Sequence, residues 1–377
     1  MIASEISQQP FSLQESSDLT EQEIADLETP EVQASQVVYS GQDFDVVGLI
    51  RRLQNEDILI PTFGHEDVRI EAAGFQRSFV WNRPQMDKFI ESILLGYPIP
   101  GIFLVKQPDK RYLVLDGQQR LSTLLRFQDG IHSGREFSLR YVSDEFKNLT
   151  YKSLPEDMRR QFDNTFIQAI IVTSDGSNES LNSVYSIFER LNSGGTQLTP
   201  HEIRIALYAG PFIDYIENLN RYSSWRSLYG AQSARLRDQE LVLRITALFL
   251  DSNNYKRPLK KFLNDFTANH REARSPSLGR AHQLFKIATD KILASAGRES
   301  IRLRGAQVTA ALAEVIIAGL MFRLSTPSAE PTQEAISNAI TSLKQNDELT
   351  ASFTSSTADE EQLTKRLNAA KEAFARL

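Results

Sequence analysis

The stretch Arg111-Tyr112-Leu113-Val114-Leu115-Asp116-Gly117-Gln118-Gln119-Arg120-Leu121-Ser122-Thr123-Leu124-Leu125 constrains the chain more than any other. Arg111 to Leu115 reads as a strand, because aromatic and β-branched residues precede a polar break. Leu121, Leu124 and Leu125 recur at spacings of three and four, the mark of an amphipathic helix. A strand thus passes into a helix through a very short turn. Gly117 permits that turn and lets backbone approach a ligand closely. The first N–H groups of a helix have no intrahelical partner, so the turn offers an anion site. Arg120 falls in the first helical turn, where the macrodipole disfavours a cation unless an anion sits beside it. Taken alone, the same pattern also describes a helix capped by Asp116 with a solvated Arg120.

Two further clusters share this character. Phe75-Gln76-Arg77-Ser78-Phe79-Val80-Trp81 precedes a helix carrying Met86, Phe89, Ile90, Ile93 and Leu94. Pro84 stands near the start of that helix and Gly96 just past its end, as start and stop signals require. Phe188-Glu189-Arg190-Leu191-Asn192-Ser193-Gly194-Gly195 closes another predicted helix, on which Val184, Ile187, Phe188 and Leu191 share a face. Thr199-Pro200-His201-Glu202 then carries a capping box with proline at the first helical position. Three arginine-plus-amide clusters therefore each mark the boundary of a predicted element.

The remaining pattern is α+β. A short amphipathic helix is expected over 43–54, and strands over Ile58–Phe63, Gly101–Val105, Arg111–Leu115, Phe137–Val142 and Phe166–Val172. From about residue 180 the pattern is helical, with tail helices near 305–324, 332–346 and 357–376. The apolar segment at 305–324 reads as core rather than a membrane span, because Glu314 interrupts it and Arg304 and Arg323 flank it. Three parts are expected: an acidic flexible arm over 1–42, an α/β domain over 43–175 and a helical domain over 176–377.

Charge distribution bears on partners. Residues 1–50 hold ten Asp/Glu and no Lys or Arg, whereas 221–304 hold 17 Lys/Arg against 7 Asp/Glu. The basic region suits a phosphate backbone, and equally a set of solvated helix faces. With no cysteine in the chain, thiol catalysis and the usual structural zinc sites are excluded. The five histidines stand in no metal-binding context and read as surface residues. No stretch reads as a signal peptide or a membrane span, which makes the cytoplasm the expected compartment.

At Gln76-Arg77 with Trp81, Gly96-Tyr97-Pro98-Ile99-Pro100, Asp116–Arg120 with Leu121–Leu124, Phe188–Gly195 and Asp238-Gln239-Glu240-Leu241-Val242-Leu243-Arg244, the chain resembles a known family. It is similar to the ParB-like N-terminal domain family of GmrSD-type modification-dependent restriction systems. The resemblance covers roughly residues 43–265. It implies a ParB/sulfiredoxin-like N-terminal domain followed by a helical domain. It also implies that the Asp116–Arg120 turn handles nucleotide phosphates.

Carried onto this sequence, the resemblance makes Arg120 and Arg77 ligands of phosphate oxygens. Asp116 becomes the residue that binds Mg²⁺ or positions water. Gln118 and Gln119 orient water or bond phosphate, Gly117 supplies close backbone, and Gln76 lies beside the nucleotide. Arg190 and Asn192 close the pocket from the helical side, placing the site between two domains. The implied activity is an NTP-hydrolysing sensor or regulator in anti-phage defence. Its implied partners are DNA, including modified phage DNA, and a separate HNH-type nuclease subunit. A non-catalytic module whose Arg/Gln motifs grip DNA phosphate is the alternative, and a nuclease built on the turn itself is a third. There is no Walker A sequence.

Overall fold

A computed structural model describes residues 37–60, 81–191, 198–233, 235–354 and 357–376. These form two compact units, which divide between Leu198 and Thr199. Among the described residues, no helix is long and apolar enough to cross a membrane.

The first unit is built on a five-stranded mixed sheet of order β1-β7-β3-β4-β2. Its members are β1 (Val38–Asp45), β2 (Ile58–Leu59), β3 (Ile102–Lys106), β4 (Tyr112–Asp116) and β7 (Phe166–Thr173), while β5 (Ile131–His132) and β6 (Arg135–Glu136) form a separate hairpin. β3 and β4 pair antiparallel across the short connection foreseen from sequence, with Lys106 opposite Tyr112. β7 runs parallel to β3, and β2 parallel to β4. Leu113, Val114 and Leu115 are all buried, as expected of a strand flanked on both edges and covered on both faces. Helices α1 (Val46–Gln54), α2 (Arg83–Leu94), α3 (Gln118–Asp129), α4 (Glu156–Asn164) and α5 (Asn178–Leu191) complete the unit. Leu49, Met86, Ile90, Leu121, Leu124 and Phe127 bring α1, α2 and α3 into one core.

Two sequence expectations differ from this architecture. Residues 38–45 are a strand, paired antiparallel with β7 from Val38↔Thr173 to Asp45↔Phe166. Its residues up to Asp43 are exposed, so no inside–outside alternation marks it in the sequence. Helix α1 accordingly starts at Val46, and Asp45 caps it by accepting the Gly48 N–H at 2.8 Å. Phe137–Val142, read as a strand, is an extended segment outside the sheet. Its backbone donors go elsewhere: Asp87 accepts the N–H of Arg140 at 2.9 Å and of Tyr141 at 3.1 Å, and Glu91 accepts that of Ser143 at 2.6 Å. Phe137 and Leu139 donate to the carbonyls of Gly130 and Leu149, so Asp87 and local loop carbonyls take the place of a neighbouring strand.

The second unit is helical. It comprises α6 (Pro200–Leu207), α7 (Pro211–Asn220), α8 (Ser223–Tyr229), α9 (Arg237–Asp251), α10 (Leu259–Asn269), α11 (Pro276–Ala296), α12 (Ala310–Ser325), α13 (Gln333–Gln345), α14 (Asp347–Thr354) and α15 (Glu360–Ala375). The capping box foreseen at Thr199–Glu202 is present, and every residue of α6 is buried. His201 is therefore no surface residue. Its Nε2 faces Gln239 Oε1 at 3.2 Å and its Nδ1 faces Arg204 Nη1 at 3.2 Å. Arginine only donates, so Nδ1 accepts and Nε2 carries the proton. Burial, and then Arg204, hold the His201 pKa well below its usual value.

Much of the basic excess in 221–304 is internal to this unit. Arg235, Arg244, Lys260 and Arg302 are buried. Arg235 meets Glu202 at 3.1 Å, Arg226 meets Asp238 at 2.5 Å, and Arg244 meets Glu314 at 2.7 Å. Arg302 donates to the carbonyls of Leu228 and Tyr229. These cations hold helices together instead of facing outward.

Candidate functional site

β4 delivers Asp116 to the end of the sheet opposite Phe103, and the chain turns at Gly117 into α3. Gly117 has φ 100° and ψ 5°, left-handed backbone that side chains disfavour. A Cβ there would lie 2.4 Å from Ile102 Cγ2 and 3.4 Å from Arg120 Nη2. The tight turn thus has two causes, conformation and the floor that β3 provides. Gly117→Ala is expected to destabilise the protein by about 2–4 kcal/mol, from left-handed strain and overpacking together. Urea unfolding measures this, and a change below about 0.5 kcal/mol would mean the turn relaxes freely.

Among the described residues, no side chain caps α3. Its first intrahelical bond runs from Leu121 N to Gly117 O at 2.9 Å. The helix therefore begins with its positive end bare of a carboxylate cap, and the first cation on it is Arg120. Arg120 Nη2 donates to Asp116 Oδ2 at 2.6 Å. The arginine side chain is 15 % exposed and the aspartate 47 %. Arg120 Nε is buried with no hydrogen-bond partner among the described residues. One carboxylate oxygen thus fixes the guanidinium from the strand side, and part of its donor fork is unmet.

The predicted residues fall into three groups. Asp116, Gly117, Gln118, Gln119 and Arg120 come together at the strand-to-helix turn. Gln119 is engaged there: its Oε1 accepts the Trp81 N–H at 3.2 Å. Trp81 packs edge-on against Phe89, with ring centroids 5.4 Å apart, and Asn82 caps α2 in a box with Gln85. Gln119 therefore ties the entry of α2 to the start of α3, a role that no local pattern signals. Arg190 lies exposed in the last turn of α5, a helix that packs against β4. Gln76, Arg77 and Asn192 lie outside the described residues.

Residues 54–209 match the family described as GmrSD restriction endonuclease, N-terminal domain. The chain carries a GmrSD-type N-terminal domain. Neither a curated protein nor a solved structure matches the chain. The GmrSD match is narrower than the resemblance read from sequence, and it ends before Asp238–Arg244. That later stretch has an internal role. Asp238 accepts from Asn220 at 3.1 Å, Gln239 donates to Glu217 at 3.0 Å, and both residues are buried.

Proposed function

We propose that the GmrSD-type domain binds the phosphates of a nucleoside triphosphate at the Asp116–Arg120 turn and hydrolyses it, as the regulatory part of a restriction-type anti-phage system. The observation that carries this reading is Arg120. A largely buried guanidinium with an unmet Nε–H stands at an uncapped helix N-terminus, where the helix dipole opposes a cation. An anion against Arg120 and the first turn of α3 reverses that penalty and completes the donor fork. The relation to ParB and sulfiredoxin belongs to this reading and is supported by the strand–turn–helix alone.

Asp116 suits a Mg²⁺ held jointly with phosphate. Its Oδ2 is taken by Arg120, and the carboxylate is half-exposed. Mg²⁺ on nucleotides commonly uses one or two carboxylates beside phosphate oxygens. Among the described residues no group of three or more His, Asp or Glu is placed to hold a metal, so phosphate would supply much of the coordination. When bound, the ion neutralises phosphate charge. Arg120 orients the phosphates, and Gln118, beside it in the first turn, is the amide placed to bond phosphate or water. Arg77, Gln76, Arg190 and Asn192 are proposed as further contacts. DNA, including modified phage DNA, is the proposed trigger, and a separate HNH-type nuclease the proposed effector.

Phosphate release from each of the common triphosphates, with Mg²⁺ and with or without DNA, tests the reading. Asp116→Ala is expected to lower release at least tenfold. Binding without release from any triphosphate would overturn hydrolysis in favour of a non-catalytic phosphate grip. No binding at all would overturn the site.

A further inference from the structure

A second cluster of cations lies at the opposite end of α3. The helix has 12 residues, so its two ends are about 18 Å apart. Arg126, in its last turn, sets Nη1 3.1 Å from His132 Nδ1 on β5. The hairpin register places Arg135 directly opposite His132. The His132 ring lies 6.1 Å from that of Phe137, and the Arg83 guanidinium lies 4.0 Å from the same Phe137 ring centre. Arg83 also donates to Ser138 O at 2.6 Å and pairs with Asp87 at 3.1 Å. Asp87 in turn holds the backbone of Arg140 and Tyr141. Side-chain contacts thus join Arg83, Arg126, His132 and Phe137, while backbone pairing places Arg135 and Arg140 alongside them.

Among the described residues, few carboxylates pair with these cations. Asp87 is buried and already shared among Arg83 and two N–H groups. Asp144 is paired with Lys147, and Asp129, exposed at the end of α3, keeps its charge in a 3.5 Å hydrogen bond with the neutral Gln54. Glu136 is the exposed acid on the hairpin. Arg135 and Arg140 are exposed and have no carboxylate partner among the described residues. Burial first, then Arg126 and Arg83, lower the His132 pKa against an opposing contribution from Asp87, and because arginine only donates, Nδ1 accepts from Arg126. Beside these groups Tyr141 is 53 % exposed and Ile131 60 % exposed.

We propose that the face carrying Arg83, Arg126, Arg135, Arg140 and Tyr141 binds the phosphate backbone of a nucleic acid. One phosphate would be met by one guanidinium fork, whereas here the forks spread over a surface, as a chain of phosphates requires. An exposed aromatic ring beside arginines adds a stacking surface for a base. The face is independent of the triphosphate reading, because it occupies the other end of α3. It also differs from the 221–304 region that composition singles out, where many cations are bound internally.

Fluorescence anisotropy on the full chain, with a labelled duplex of about two helical turns and a single strand of equal length over a range of salt, tests the proposal. Wild type is expected to bind at least one of them with a steep salt dependence. R135E/R140E is expected to weaken binding roughly tenfold or more. It is also expected to flatten the log–log slope by about 2, at ~0.9 for each phosphate no longer neutralised. Its melting temperature and triphosphate affinity are expected to match wild type, since both side chains are exposed. Arg274→Glu, which removes an exposed arginine paired with Glu272, is expected to change nothing. Absence of binding by wild type, an unchanged R135E/R140E, or an equal weakening in the Arg274 control would each overturn the proposal. So would a face occupied instead by residues 1–36, with eight acids and no base. That result would appear as a peptide of that sequence binding wild type and not R135E/R140E, while nucleic acid binds neither.

Discussion

Arg120→Ala is expected to weaken triphosphate binding roughly ten- to hundredfold, the equivalent of ~1.5–3 kcal/mol for hydrogen bonds to a charged group. Calorimetric titration with Mg²⁺ and each triphosphate reads this directly. The change to alanine removes both the Nη2 bond to Asp116 and the unmet Nε donor. Stability is expected to move little. Asp116 is 47 % exposed, so its freed carboxylate rehydrates, and the largely buried guanidinium leaves together with its unmet donor. Arg120→Lys keeps the charge but loses the planar fork, and is expected to fall between wild type and alanine. Equal affinity in all three proteins would sink the phosphate role of Arg120 and leave it a strap between β4 and α3.

The turn was legible because its logic is local. A strand, a glycine and an amphipathic helix within fifteen residues leave few ways to fold, and Asp116–Arg120 forms the turn expected of it. The box at Thr199–Glu202 was legible for the same reason: its donors and acceptors lie three residues apart. What escaped depends on partners distant in the chain. β1 exists because β7, more than 120 residues later, offers it an edge. Phe137–Val142 has the composition of a strand, yet Asp87 on α2 and the carbonyls of Gly130 and Leu149 take its donors. Gln119 looked like a group for water or phosphate, and its amide oxygen serves Trp81, 38 residues away. His201 looked exposed because a polar residue in a helical first turn usually is, while here α6 is enclosed on all sides. The basic stretch at 221–304 misled in the same sense. Counting charge along the chain does not reveal which guanidinium groups turn inward, whereas the arginines on α2, α3 and the β5–β6 hairpin are scattered in sequence and meet only in space.

Glu314→Ala is expected to be the most damaging single substitution in the helical unit. From Ala310 to Phe322, α12 is apolar around its whole circumference apart from Glu314, which is fully buried. Arg244 on α9 donates from Nε to Glu314 Oε2 at 2.9 Å, and Arg366 on α15 from Nη2 to Oε1 at 3.2 Å. A single carboxylate thus answers two guanidinium groups, 6 % and 0 % exposed. Arg366 adds bonds to the carbonyls of Ser352 at 2.8 Å and Thr357 at 2.7 Å. Burial lowers the Arg366 pKa, and the Glu314 carboxylate opposes that shift. Removing the carboxylate leaves two cations desolvated without a counterion, and breaking even one buried pair costs about 3–5 kcal/mol. At roughly 2–4 °C per kcal/mol for a unit of this size, melting should fall by about 6–20 °C. Replacing all three residues by apolar ones, Arg244→Met, Glu314→Leu and Arg366→Met, is expected to recover most of the stability, because the desolvation penalty leaves with the charges. Recovery should be incomplete, since the Ser352 and Thr357 carbonyls lose their donor. A melting shift under about 2 °C for Glu314→Ala would mean that water reaches the site and that the carboxylate does not hold α9 and α15 to α12.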